Sequence, residues 1–155
     1  MATEKKTKKE KKVKELKIRE IVEMNNVLKK VNLVKLDKDT QITILLVGEL
    51  LRPHAQAFEE FQKTSIERLK PENFEELEEK QGHLDSLPDS ERVAVAAAIA
   101  AYNRSVYTAL EAQLDKTVTL EYDDIKPIEI KALAEIGSNN AIPVPDLLTI
   151  RKPTL

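Results

Sequence analysis

Residues 37–69 read DKDTQITILLVGELLRPHAQAFEEFQKTSIERL, and the fold turns on this run. Ile44, Val47, Leu51, His54, Phe58, Phe61 and Ser65 step by three and four in alternation, the spacing of a long helix lying along a partner. Asp37 and Asp39 offer side-chain oxygens to the free N–H groups at its start, and Pro71 ends it. Pro53 sits inside the run. A mid-helix proline removes one backbone hydrogen bond and crowds the carbonyl four residues back, so a bend near Gly48–Glu49 is expected.

Downstream, residues 71–88 are acidic and interrupted by Gly82 and Pro88. Glu72, Glu75, Glu76, Glu78 and Glu79 suit a short solvated helix ending at Gly82. Ser86 followed by Asp89 has the spacing of a capping box, with Pro88 tolerated in the first turn. A second long helix follows, from about Pro88 to Leu114, with Val95, Ile99, Tyr102, Val106, Ala109 and Leu110 on its seam. Its alanine-rich stretch 94–101 leaves little bulk, so another helix can approach closely. The two long helices predict an antiparallel hairpin of roughly 40 Å at 1.5 Å per residue.

Outside the hairpin the periods change. Thr117-Val118-Thr119-Leu120-Glu121-Tyr122 alternates with period two and reads as a strand. Residues 13–18 alternate in the same way, so the two segments are expected to pair. From Arg19, the residues Ile21, Val22, Val27, Leu28 and Val31 follow a helical period to about residue 31. Pro127 opens a short helix over 127–136, with Ile128, Ile130, Leu133 and Ile136 apolar, and Gly137 stops it. The fold class is therefore mainly α with a minor β element: a long antiparallel helical hairpin, a short N-terminal helix, a small two-stranded sheet and a short C-terminal helix. The expected organisation is a basic N-terminal arm at 1–12, a single helical-hairpin domain at 13–137, and an extended proline-containing C-terminal segment at 138–155.

Composition agrees with this class. The chain has 155 residues, of which 41% are hydrophobic, 34% charged and 4% aromatic. That is enough for one domain with an ionic surface, and it is poor in the aromatic and β-forming residues of a barrel or sandwich. No stretch approaches the roughly 20 apolar residues of a membrane span. The basic N-terminus is followed by more charge and not by the apolar region of a secretory signal. With no cysteine, disulfides, thiolate metal sites and cysteine nucleophiles are excluded. A cytoplasmic protein is the expectation.

The overall charge of −2 hides a division: residues 1–17 carry a net +5 and residues 18–155 a net −7. Lys5, Lys6, Lys8, Lys9, Lys11 and Lys12 could contact nucleic acid phosphates or an acidic protein surface. The arm has no aromatic to stack on bases and no arginine before Arg19 to read a groove.

The chemistry sought in the sequence is mostly missing. His54 lies on the apolar seam, where a core histidine is the ordinary explanation, and His83 follows Gly82 in a polar linker. Neither belongs to a Glu-x-x-His or His-Glu-x-x-His pattern. Gly48, Gly82 and Gly137 are isolated, so no phosphate-binding loop forms. Glu59-Glu60 are adjacent acids on a helix and so point in different directions, and Asp123-Asp124 sit where a turn is expected. No catalytic residue, metal ligand or cofactor is assigned, and no small-molecule substrate is evident. An enzyme is not expected. What remains is surface for other proteins, above all Val144, Leu147, Leu148 and Ile150 among Pro143, Pro145 and Pro153. These four can wrap the chain's own body or lie on a neighbouring subunit.

The order of elements resembles a class of short proteins of unknown function encoded in tailed bacteriophages and prophages. The residues that carry the likeness are Leu16-Lys17-Ile18-Arg19-Glu20-Ile21, Phe58-Glu59-Glu60-Phe61, and Thr117–Tyr122 followed by Ile125-Lys126-Pro127. It covers residues 13–137, while the lysine arm and the last 18 residues depart from it. The resemblance implies no catalytic residue. It implies a structural or accessory role, as a virion or assembly component, with the chain itself or other assembly subunits as partners and the virion as location. Nucleic acid, reached through the lysine arm, is the alternative partner.

Overall fold

The computed structural model describes residues 11–154. The chain runs β1 (Lys12–Lys17), α1 (Ile18–Lys29), α2 (Lys38–Arg68), α3 (Phe74–Gln81), a 3-10 turn at Leu84–Ser86, and α4 (Asp89–Leu114). It continues with β2 (Thr117–Tyr122), α5 (Ile130–Asn140), α6 (Val144–Thr149) and a 3-10 turn at Lys152–Thr154. This is the mainly α fold with a minor β element that the periodicities predict. The described residues form two compact units, one made of those up to Phe58 together with those from Asp115, the other of Glu59–Leu114. β2, α5 and α6 supply much of the first unit's core.

In the first unit, β1 and β2 pair antiparallel, with Leu16 opposite Val118 and Lys14 opposite Leu120. Alternation along each strand turns Leu16, Leu120 and Tyr122 inward and leaves Val13, Glu15, Thr119 and Glu121 exposed. The inward side chains pack with Ile21 and Met24 of α1, Val47 and Leu51 of α2, and Ile125. A second cluster joins Val27, Leu36 and Ile44 to Ile128, Ala132, Leu133, Ile136, Ile142, Leu147 and Ile150. The expected seam of α2 thus serves both clusters, Ile44 in one and Val47 with Leu51 in the other.

Local chemistry explains where α2 begins. The Asp37 carboxylate accepts the Thr40 backbone N–H at 3.1 Å and the Thr40 hydroxyl at 2.7 Å, which satisfies donors that have no intrahelical partner. These bonds, the hydroxyl's first, hold the Asp37 carboxyl below its ordinary value. The helix continues through Pro53.

In the second unit, the Tyr102 hydroxyl of α4 donates to the Ile66 carbonyl of α2 at 2.8 Å. The Phe74 ring lies 5.0 Å from the Tyr102 ring in a tilted pair, and the Lys70 ammonium sits 5.1 Å from the Phe74 centroid. The capping box expected at Ser86 and Asp89 does not form. The Ser86 hydroxyl donates instead to the His83 carbonyl at 2.8 Å, closing the 3-10 turn. Among the residues of α4, Val95 alone is buried, so most of the seam read from the sequence is half-covered.

The C-terminal region departs most from expectation. The short helix starts at Ile130 and not at Pro127, and it passes through Gly137 to Asn140. Beyond it, the proline-containing segment, expected to be extended and docked with room for a single turn at 145–149, forms α6, with Pro143 at its N-cap and Pro145 in its first turn, where a missing N–H costs nothing. Gly137 has another role. A Cβ placed there would lie 2.7 Å from the Leu147 side chain, so the missing side chain is what lets α6 approach α5. The helix terminates at Ala141, which adopts a left-handed backbone with φ 53°, a conformation that favours glycine.

Two substitutions should therefore act against ordinary helix preference. Gly137→Ala gains about 1 kcal/mol of helix propensity but presses on Leu147, which is 3% exposed; overpacking of about 1–3 kcal/mol outweighs the gain. Ala141→Gly relieves the left-handed strain and should stabilise by about 1 kcal/mol. Urea unfolding of the full chain measures both.

Candidate functional site

The four C-terminal residues singled out from the sequence divide by exposure. Within α6, Val144 and Leu148 are one turn apart and exposed, at 66% and 49%. Leu147, roughly a quarter-turn round the helix from them, and Ile150 just beyond it are buried against Val27 of α1 and Leu133 and Ile136 of α5. A six-residue helix with two apolar sides is the local reason. One side anchors the segment to its own chain, and the other is left open.

A polar clasp holds the same region. The Glu20 carboxylate, at the start of α1, accepts the Lys152 ammonium at 3.0 Å and the Lys17 backbone N–H at 3.3 Å. The Lys152 bond, ahead of the Lys17 N–H, lowers the Glu20 pKa from its ordinary value. Since the folded value lies below the unfolded one, the contribution to stability is present above an unfolded pKa of about 4.3. It disappears as pH falls through the folded value. Glu20 and Lys152 are both partly exposed, at 30% and 49%, so the effect is small.

Of the lysine arm, Lys5, Lys6, Lys8 and Lys9 lie outside the described residues. Lys11 and Lys12 are exposed. The Lys12 ammonium pairs with Asp124 at 2.6 Å, and this bond raises its pKa above the ordinary value. Asp124, one of the adjacent acids considered for acid–base chemistry, therefore faces a cation from the start of β1.

Two open depressions complete the polar surface. One, in the first unit, has a volume of about 560 Å³ and is lined by Lys35, Asp37, Asp39, Lys126, Lys131 and Glu135 among others. Its charges are mixed, and Asp37 is committed to capping α2. The other, about 630 Å³, lies in the second unit between Glu67, Lys70, Glu72, Phe74 and Glu76. Among the described residues, no group of three or more His, Asp or Glu side chains is placed to hold a metal ion. None of their helices is long and apolar enough to cross a membrane.

The residues missed from the sequence are Ile42, Leu45 and Leu46 of α2, exposed at 54%, 53% and 47%. Their signal was present: residues 42–51 are apolar on every side of the helix, whereas one buried seam needs apolar residues on a single stripe. No family model, curated protein or solved structure matches this chain.

Acid titration checks the clasp. Lys152→Met should lower stability near neutral pH by a few tenths of a kcal/mol, as expected for an exposed pair. It should also flatten the loss of stability below about pH 5, read from thermal melts at stepped pH. An unchanged acid limb would mean that the Glu20–Lys152 bond contributes nothing.

Proposed function

We propose that this chain is a non-enzymatic structural or accessory protein that works through apolar protein–protein contacts within an assembly. A bacteriophage particle, or its construction, is the setting implied by the sequence resemblance. The observation that carries the reading is the state of α6: Val144 and Leu148 stay open to solvent while Leu147 and Ile150 fix the helix beneath them. Large exposed aliphatics held on a rigid element are the usual form of a contact surface. The open side of α2 adds a second such face.

Light scattering on a size-exclusion column, at about 50 and 500 mM salt, tests the reading. At the higher salt the screening length is only about 4 Å, so contacts made by the lysine arm should dissolve while apolar ones persist. We expect an assembly at both salts. Val144→Glu with Leu148→Glu should reduce its mass and leave the far-ultraviolet circular dichroism unchanged. Deleting 138–155 would be a poor substitute, because it removes Leu147 and Ile150 from the core; Leu147→Ala alone should cost about 2–5 kcal/mol. An assembly that disappears at high salt would favour the lysine arm over this reading.

A further inference from the structure

Over its first turns, α2 presents Ile44, Val47 and Leu51 to the core and Ile42, Leu45 and Leu46 to solvent. Lys38 and Glu49, also exposed, bracket the open face. Lys38, Ile42, Leu45 and Glu49 are spaced by four, three and four residues, the spacing by which one helix packs along another. Read along the helix, this stripe is cation, aliphatic, aliphatic, carboxylate. Read backwards, it is its own complement. Against a reversed copy, Lys38 meets Glu49, Ile42 meets Leu45, and the same contacts repeat on the other side. Against a parallel copy, Lys38 would meet Lys38 and Glu49 would meet Glu49.

We propose that this face of α2 binds a second copy of the chain, antiparallel, with the two-fold axis passing between Ile42 and Leu45. The inference rests on the protein-contact reading above and names its partner. Charge selects the occupant: the stripe runs from Lys38 to Glu49, with the exposed Asp39 and Arg52 beside them, so each end carries both signs, which a reversed copy matches and a uniformly basic or acidic partner does not. Glu49 already pairs with Arg52 of its own chain, so the incoming Lys38 completes a group of three charges at each end of the interface. Ile42, Leu45 and Leu46 form the dry centre. A standard interface covers about 800 Å² per partner, more than three side chains supply, so polar rim residues must contribute and the dimer should depend on concentration.

Sedimentation velocity of the full chain between about 5 and 200 µM, near physiological salt, is the test. The wild type should pass from monomer to dimer over that range. Leu45→Glu should raise the dissociation constant at least about tenfold with an unchanged circular dichroism spectrum. Lys38→Glu and Glu49→Lys should each weaken the dimer about fivefold, and the double variant should restore it to within about twofold, because the exchanged charges again face each other. Failure of the double variant to recover overturns the antiparallel arrangement. Self-association that Leu45→Glu leaves untouched also overturns the proposal, and the broader reading then stands on α6. A monomer at every concentration overturns the pairing and removes self-assembly from that reading as well.

Discussion

The antiparallel pairing of β1 with β2 is the constraint on which the rest of the first unit depends. It joins residue 12 to residue 122 and residue 17 to residue 117, so segments about a hundred residues apart share one ladder. An isolated two-stranded ribbon is marginal in water. This one is sustained by its inner face, where Leu16, Leu120 and Tyr122 meet Met24 and Val47. The Ile18 backbone N–H extends the tie by donating to the Lys116 carbonyl at 3.0 Å. With the ladder closed, α1 is held where Val27 can meet the C-terminal helices, and the second cluster can form.

Much of this was legible in the sequence, for a physical reason. Burial on one side writes a period into the chain, and the period of α2, of α1 and of both strands survives in the residues. Residues 13–18 and Thr117–Tyr122 are the segments that alternate in the sequence, and the ladder joins Lys12–Lys17 to Thr117–Tyr122. The C-terminus was harder, since Gly137, Pro143 and Pro145 are residues whose meaning depends on neighbours. Gly137 reads as a helix stop until Leu147 is seen pressing on it. The prolines read as an extended chain with room for one turn at 145–149, and the turn lies there because Pro143 and Pro145 fit the start of a helix.

The contact surface was half legible. Helical spacing placed Val144 and Leu148 with Leu147 and Ile150 in one apolar group, but a period cannot say which side of a six-residue helix meets the core. That choice belongs to α1 and α5, which lie far away in sequence. The open side of α2 was hidden for the opposite reason. Ile44, Val47 and Leu51 account for the buried stripe, and that reading left Ile42, Leu45 and Leu46 without a role.

The interleaving of the two units has a consequence for how the chain is made. Residues 59–114 lie between the two halves of the first unit, so a chain emerging from the ribosome presents β1, α1 and α2 before β2, α5 and α6 exist. At about 5–20 residues per second, Leu16, Met24 and Val47 wait several seconds for Leu120 and Tyr122, and Val27 and Ile44 wait longer for Ile150. The intervening segment has its own local contacts, Tyr102 to Ile66 and Phe74, and can form while the outer unit is still incomplete. Nascent chains on neighbouring ribosomes thus expose both sides of α2 at once, the stage at which wrong pairings compete and at which a holding chaperone would be most useful.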